Sequence, residues 1–493
     1  MGNLYIASYD FGTSSVKAVL VDFQGNVKGS STAGYSLLAP HADWAEQDST
    51  AYWDAVCKAT KQALINADIC PEDVKGIVFG TQWKGIIPLD AQDNVLYNTI
   101  IWLDGRAGKQ AAKLNARMNT TEFCNKDYWP KLMWVKEELP EVYEKTTCFL
   151  EINAFLKFKA TGRKLVDITN HFTRSIDVKL QAYYNKVLAA AEIDPDKFPP
   201  LVMPTDKIGG LTAKAAQELG LPMGTAVFGG CGDIPAIAIG AGCSSRDSVH
   251  IYLGSSGWLG TVVPEQKDGV GELYQSLDRG KELMIYTLQS AGMTFNWAID
   301  QFYHVEKDIL KDDIFEFVNK EIENIEPGSL NMIATPWLHG ERPPLSEKAK
   351  TVFINITNLH NRRHFINAIM EGICYHLRWK IEIYEKETGR TLRSIRIVGG
   401  VASSDKWMQI MANVLQIPVE IPVNVRHAGA IGTAYCALIG LGQYKNFEEA
   451  DKMTIAEKTF LPQKEYANIY DMLFKVFQQI YPTMEGMFDI LNG

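Results

Sequence analysis

One carboxylate stands at the mouth of an apolar, glycine-rich run: Asp233 in GGCGDIPAIAIGAG, residues 229–242. An acid so placed has two uses. It can cap a helix entered through Ile234 and Pro235, because Asp accepts backbone N–H bonds and proline is tolerated in a first turn. It can also be a general base that takes a proton from a substrate hydroxyl, with the helix dipole favouring its ionised form. The uses are compatible, and glycines at 229, 230, 232 and 240 permit close approach. A second acid, Asp10, ends a strand just before Phe11-Gly12-Thr13-Ser14-Ser15. It could close an Asx turn on its own backbone. It could also hold a hydrated Mg2+, an ion that takes few carboxylates and keeps several waters.

Three glycine turns follow strand patterns. Gly12-Thr13-Ser14 joins residues 4–10 to 16–22, and Gly254-Ser255-Ser256-Gly257 joins residues 248–253 to 258–263. The third, Gly399-Gly400-Val401-Ala402-Ser403-Ser404, follows residues 395–398 and leads into a helical pattern at 406–415. Successive backbone N–H groups in such turns form a nest for phosphate, and the hydroxyls of Thr13, Ser14, Ser255 and Ser256 add donors. Each turn alone reads equally as a hairpin. Their recurrence favours phosphate. Neither GxxxxGK[ST] nor GxGxxG occurs, which excludes a P-loop and a Rossmann fingerprint.

Two loops carry polar groups suited to a sugar. Gln82-Trp83-Lys84 follows the strand pattern at 74–80, at the strand end where α/β folds place ligands. Trp102-Leu103-Asp104-Gly105-Arg106 sets an acid two residues from a base, as a loop ion pair or a sugar-binding pair. His360 and His364 have metal-pair spacing but no third ligand nearby. With Arg362 and Arg363 they read as a solvated helix face.

Positioning these groups requires alternating strands and helices. Residues 49–66 carry Tyr52, Trp53, Val56, Ala59, Ala63 and Leu64 at helical spacing, capped by Asp48 or Ser49. The pattern predicts an α/β fold of two related domains around a cleft, residues 1–245 and 246–493, parted at Cys243-Ser244-Ser245-Arg246-Asp247. Net charge is −9, which speaks against a nucleic-acid partner. The eight cysteines form no CxxC, and no leader precedes the first strand, so a reducing cytoplasmic setting is expected. No apolar run reaches the ~18 residues of a membrane span.

The chain resembles the FGGY carbohydrate kinases, within the actin–Hsp70–sugar-kinase superfamily. YDFGTSSVKAVLVD and YLGSSGWLG are similar to the family's two phosphate motifs, and IVGGVASSDKWMQIMANVLQIPV to its adenosine motif. PKLMWVKEELPEVY, HFINAIMEGICYHLR and HAGAIGTAYCALIGLG resemble further family segments, and GGCGDIPAIAIGAG the segment with the catalytic aspartate. The resemblance implies two ribonuclease-H-like domains of actin-like ATPase type, the first binding sugar and the second nucleotide. It implies ATP and Mg2+, Asp233 as base and Asp10 as the magnesium-associated acid. It assigns nucleotide contacts to Thr13, Ser14, Lys17, Gly254, Ser255, Ser256, Gly399, Gly400 and Ser404. Sugar contacts fall on Gln82, Trp83, Lys84, Asp104, Arg106 and Asp233. The implied acceptor is a small sugar, foremost a ketopentose such as xylulose. Ribulose, rhamnulose, fuculose, gluconate and glycerol, or a silent sugar sensor, are the alternatives. A homodimer is compatible with the resemblance. Trp83-Lys84 stands where Met-His is usual, Val401 where the nucleotide loop has a third glycine, and Asn413, Gln416, His427 and Phe353-Ile354-Asn355-Ile356 also depart from the pattern.

Overall fold

The Tyr5–Phe11 strand is buried along nearly its whole length, as a strand covered on both faces must be. In the computed structural model, which describes residues 4–245, 248–263, 271–342 and 344–492, it pairs antiparallel with Ser15–Asp22 and parallel with Val74–Thr81. A parallel neighbour needs a crossover. Ser49–Ala67 supplies it as the expected helix: the Asp48 side chain accepts from Thr50 N, the apolar face is buried, and Asp68 ends it in the left-handed region. The sheet runs Lys207–Gly210, Ala226–Phe228, Val74–Thr81, Tyr5–Phe11, Ser15–Asp22, Val27–Gly34, with Cys231–Gly232 also on Val74–Thr81.

A second sheet repeats this plan. Glu282–Leu288, Gly257–Val263 and Val249–Leu253 are antiparallel neighbours; Ile395–Val398 and Val419–Pro422 follow in parallel; Ala456–Phe460 closes the edge antiparallel. Glu272–Gln275 adds a strand at the opposite edge. The shared order, three antiparallel strands, two parallel and one antiparallel, bears out the two related domains.

Two compact units result. The first holds residues up to Gly240 with Gln275–Arg279 and His427–Met453; the second holds the rest. The expected division at 245/246 differs from this chiefly in the return of His427–Met453. Within that expected boundary, Arg246 and Asp247 lie outside the described residues. The return has a physical cause. Helix Ala428–Gly440 is buried on nearly every face and must be covered all round. It crosses Asp233–Gly240 at contact distance: a Cβ on Gly432 would lie 1.8 Å from Ala236 O, and one on Gly240 1.8 Å from Ala428 O. Ser8 Oγ also donates to Ala430 O at 2.7 Å. No helix among the described residues is long and apolar enough to cross a membrane.

Arg362 departs from the expected solvated face. Its guanidinium lies 4.2 Å from the Tyr303 ring centroid and pairs with Glu306 and Glu321, while His364 completes the capping box of Arg362–Thr388.

Candidate active site

Strand Val74–Thr81 is flanked by one acid on each side. Asp10 sits opposite Gly80, while Cys231 and Gly232 pair with Gly80 and Thr81 from the other side and deliver Asp233 immediately after. Neighbouring strands lie about 4.8 Å apart, so both acids leave the C-terminal ends of parallel strands at the same end of the sheet. Both are half-buried. Asp233 is the first residue of helix Asp233–Gly240, and its Oδ1 accepts from Ile234 N at 2.9 Å. The helix dipole was expected to keep it ionised. Burial, and then the charge of Asp10, outweigh that help and raise Asp233 to about 7. Burial also raises Asp10, against the pull of Lys17, whose Nζ lies 3.7 Å from Oδ2.

The first hairpin is clamped by residues that local sequence does not mark. Thr13 Oγ1 accepts from Trp102 Nε1 at 3.2 Å, and Thr13 O accepts from Gln47 Nε2 at 2.5 Å. Gln47 Oε1 in turn accepts from Tyr52 OH at 2.7 Å and Gln82 Nε2 at 3.2 Å. Gln47 thus ties the hairpin to the Gln82–Lys84 loop. Ser14 stays exposed at the tip, its carbonyl accepting from Tyr35 N at 3.0 Å.

Trp83 is buried and packs on Gly232, where a Cβ would lie 1.6 Å from Nε1. Only glycine fits under the indole, beside Asp233. Phe172 meets the same ring edge-on at 6.3 Å. Lys84 has φ +61, a costly conformation for a non-glycine residue. Two groups hold it there: its Nζ bonds Asp127 at 2.8 Å, and its carbonyl accepts from Lys131 Nζ at 3.0 Å. Lys131 also donates to Ile101 O at 2.9 Å, stitching this loop to the one containing Trp102, and burial lowers its ammonium to about 7.

Asp104 and Arg106 do not present the expected sugar-binding pair. Both side chains are 0% exposed. Arg106 binds Asp104 Oδ1 through Nε at 2.8 Å and Glu46 Oε1 through Nη2 at 2.7 Å, and Asp104 Oδ2 accepts from Ala45 N at 2.6 Å. The guanidinium lies 3.7 and 4.6 Å from the ring centroids of Trp44 and Trp134. The Nε and Nη2 donors and both carboxylate oxygens of the pair are used within the protein, so it shapes the loop from behind. Glu46, the third member, lies 60 residues from Arg106 in sequence, and nothing local announces it.

In the second unit, the Gly254–Ser256 tip and the Gly399–Gly400 loop meet at the ends of adjacent parallel strands. Tyr252 is opposite Val398, and a Cβ on Gly399 would lie 2.3 Å from Leu253 O. Gly399 has φ +103, which only glycine adopts readily. The tip is braced by the start of helix Gly292–Phe302: Gly292 N donates to Gly254 O at 2.9 Å, Ala291 N to Ser255 O at 3.0 Å and Met293 N to Ser255 O at 2.9 Å. Ser255 and Gly400 remain exposed. Ser404 has a different use from the expected nucleotide contact. Its Oγ caps helix Asp405–Leu415 by accepting from Trp407 N at 3.3 Å, and donates to Asn319 Oδ1 at 2.8 Å.

Family models decide what this arrangement belongs to. Residues 5–240 match the N-terminal domain, and residues 249–441 the C-terminal domain, of the FGGY family of carbohydrate kinases. The chain belongs to that family. As an FGGY kinase it is an ATP-dependent phosphotransferase with a sugar hydroxyl as acceptor. It is 28% identical over 488 residues to the xylulose kinase of Bacillus subtilis, covering 97% of this chain and 96% of the relative. Its fold is similar to that of a gluconate kinase from Lactobacillus acidophilus, with TM-score 0.86, 22% identity and coverage of 99% and 100%. A xylulose kinase from the same organism gives TM-score 0.84 at 24% identity, with 99% of both chains covered.

Proposed function

We propose that this FGGY kinase transfers the γ-phosphoryl group of ATP to a hydroxyl of a ketopentose, xylulose, with Asp233 as general base. The observation that carries the reading is Asp233 itself: a carboxylate at a strand end, raised to about 7 by burial and by Asp10, with Trp83 packed on the preceding glycine. A base titrating near neutrality is ionised in about half or more of the molecules at physiological pH and accepts a proton more readily than an ordinary carboxylate. The acceptor hydroxyl gives its proton to Asp233 as its oxygen bonds to the γ-phosphorus and the bond to the ADP oxygen breaks. Gln82, Trp83 and Lys84 supply the sugar side. Thr13, Ser14 and Lys17 in the first unit, and Gly254–Ser256 with Gly399–Gly400 in the second, supply phosphate and nucleotide contacts. The full-length similarity to xylulose kinases supports the choice of acceptor.

Mg2+ fits one role. The described residues contain no cluster of three or more His, Cys, Asp or Glu able to cage a metal. Asp10 alone, through water, suits an ion held mainly by substrate phosphates. The ion would neutralise phosphate charge. All eight cysteines are free thiols, which suits the cytoplasm, where ATP is available.

The test is ADP release with xylulose, ribulose, gluconate and glycerol, in wild type and Asp233→Asn. Xylulose should give the highest kcat/KM, and Asp233→Asn should lose at least about a thousandfold in kcat while still binding ATP. Turnover by Asp233→Asn within tenfold of wild type overturns the base. A clear preference for gluconate overturns the acceptor.

A further inference from the structure

Behind the site, in the first unit, lies a buried polar chain that the reaction does not use directly. Lys157, Asp167, Thr169 and Asn170 are each at most 5% exposed. Lys157 Nζ donates to Gly229 O at 2.8 Å and lies 3.7 Å from Asp167 Oδ2. Asp167 Oδ1 accepts from Thr169 Oγ1 at 2.6 Å and Thr169 N at 2.9 Å, and its Oδ2 accepts from Asn170 Nδ2 at 2.9 Å. Thr169 Oγ1 then accepts from Gly232 N at 2.8 Å. The proton directions are fixed, because a carboxylate only accepts and a backbone N–H only donates. Alongside, Asn153 Nδ2 donates to Phe79 O at 2.7 Å. The chain grips both ends of 229–232, the segment that delivers Asp233. Trp83 bears on the same Gly232, so a slip there moves floor and base together.

We propose that Thr169, oriented by Asp167 and the Lys157 ammonium, is a positioning residue that latches Gly232 and so sets the place of the Asp233 carboxylate for proton transfer. The inference rests on Asp233 being the base. Removing the hydroxyl leaves the Gly232 N–H buried without its acceptor, which frees the segment to shift. Misplacing a catalytic group by about 1 Å costs on the order of a hundredfold in rate.

The experiment compares Thr169→Val, Thr169→Ser and Asp233→Asn in the full chain, with xylulose and ATP as substrates and thermal melting as the control for folding. Thr169→Val should lower kcat at least tenfold with KM for ATP within twofold, and Thr169→Ser, which keeps the hydroxyl, should stay within threefold of wild type. Two results overturn the latch: kcat of Thr169→Val within threefold of wild type whatever its melting temperature, or equal losses in Val and Ser. If Thr169→Val does not fold, Thr169→Cys, a weak acceptor of near-equal size, is read against Thr169→Ser in the same way. Failure of the base reading is separate: it shows as turnover by Asp233→Asn, whereas failure of the latch alone leaves that variant inactive and Thr169→Val active.

Discussion

Asp233 is costly to the fold in the ionised form that a general base needs. Its carboxyl titrates near 3.8 in an ordinary setting and near 7 here, so the folded chain holds a proton that the unfolded chain releases between those values. Stability from this group is therefore fully present below about pH 3.8 and is lost as pH rises through about 7. Asp233→Asn removes the penalty. The variant should melt above wild type at pH 8, and the difference should shrink steadily as pH falls from about 7 and vanish only below about 3.8. With Asp233 as the proposed base, the same titration would set activity: kcat/KM should fall on the acid side with a limb near pH 7, and in Asp10→Asn, which loses the neighbouring like charge, the limb of the residual activity should move to lower pH. A limb that stays put in Asp10→Asn would mean that Asp10 does not act on Asp233. Asp233 stood out in sequence because a lone acid in a glycine-rich apolar run has few uses, a helix cap or a general base, and it does open helix Asp233–Gly240. Asp104 and Arg106 left an ion pair and a sugar-binding pair both open in sequence, because two-residue spacing shows a pair without showing what surrounds it. Their third partner, Glu46, and the aromatic planes of Trp44 and Trp134 are supplied by tertiary structure.

At the scale of elements, the helix that carries Asp233 is positioned by glycine. Gly432 and Gly240 let Ala428–Gly440 and Asp233–Gly240 approach until carbonyl oxygens occupy the space of a side chain. Alanine normally favours a helix over glycine by up to about 1 kcal/mol. At Gly432 the added methyl would lie 1.8 Å from Ala236 O, a backbone atom that no rotamer change moves, so overpacking of about 1–3 kcal/mol wins. Gly486 is the control, since nothing lies within 4 Å of its Cβ position in helix Ala467–Asn492. In urea denaturation Gly432→Ala should lose stability, and Gly486→Ala should gain about 0.5–1 kcal/mol. Equal effects would remove the crossing from the account. The strands and the helix Ser49–Ala67 were readable, because period-2 and period-3.6 patterns arise from burial on one local element. The crossing was not, because two alanine- and glycine-rich segments almost two hundred residues apart carry no mark of which surface they share.

For the molecule as a whole, the repeated strand order explains why glycine hairpins recur at 12–14 and 254–256. Each unit begins with the same antiparallel turn beside its first parallel neighbour. The recurrence was visible in sequence because a turn is local. The return of His427–Met453 to the first unit was not, because an alanine- and glycine-rich helix does not show which unit's surface covers it. On the proposed assignment the glycine loops of the second unit contact nucleotide and the Gln82–Lys84 loop of the first contacts sugar, so damage to those second-unit loops should leave sugar binding intact. Gly399 is the sharpest place to ask. Its φ of +103 excludes a side chain, and a methyl there would lie 2.3 Å from Leu253 O, at the base of the Gly254–Ser256 hairpin. Alanine must shift the loop or the hairpin, at about 1–3 kcal/mol of backbone strain. If both elements bind nucleotide, Gly399→Ala should raise KM for ATP at least tenfold and leave KM for xylulose within twofold. Binding of each ligand alone, followed by calorimetry, should show the same split. A variant that loses xylulose affinity and keeps ATP affinity would reverse the assignment of the second unit to the nucleotide.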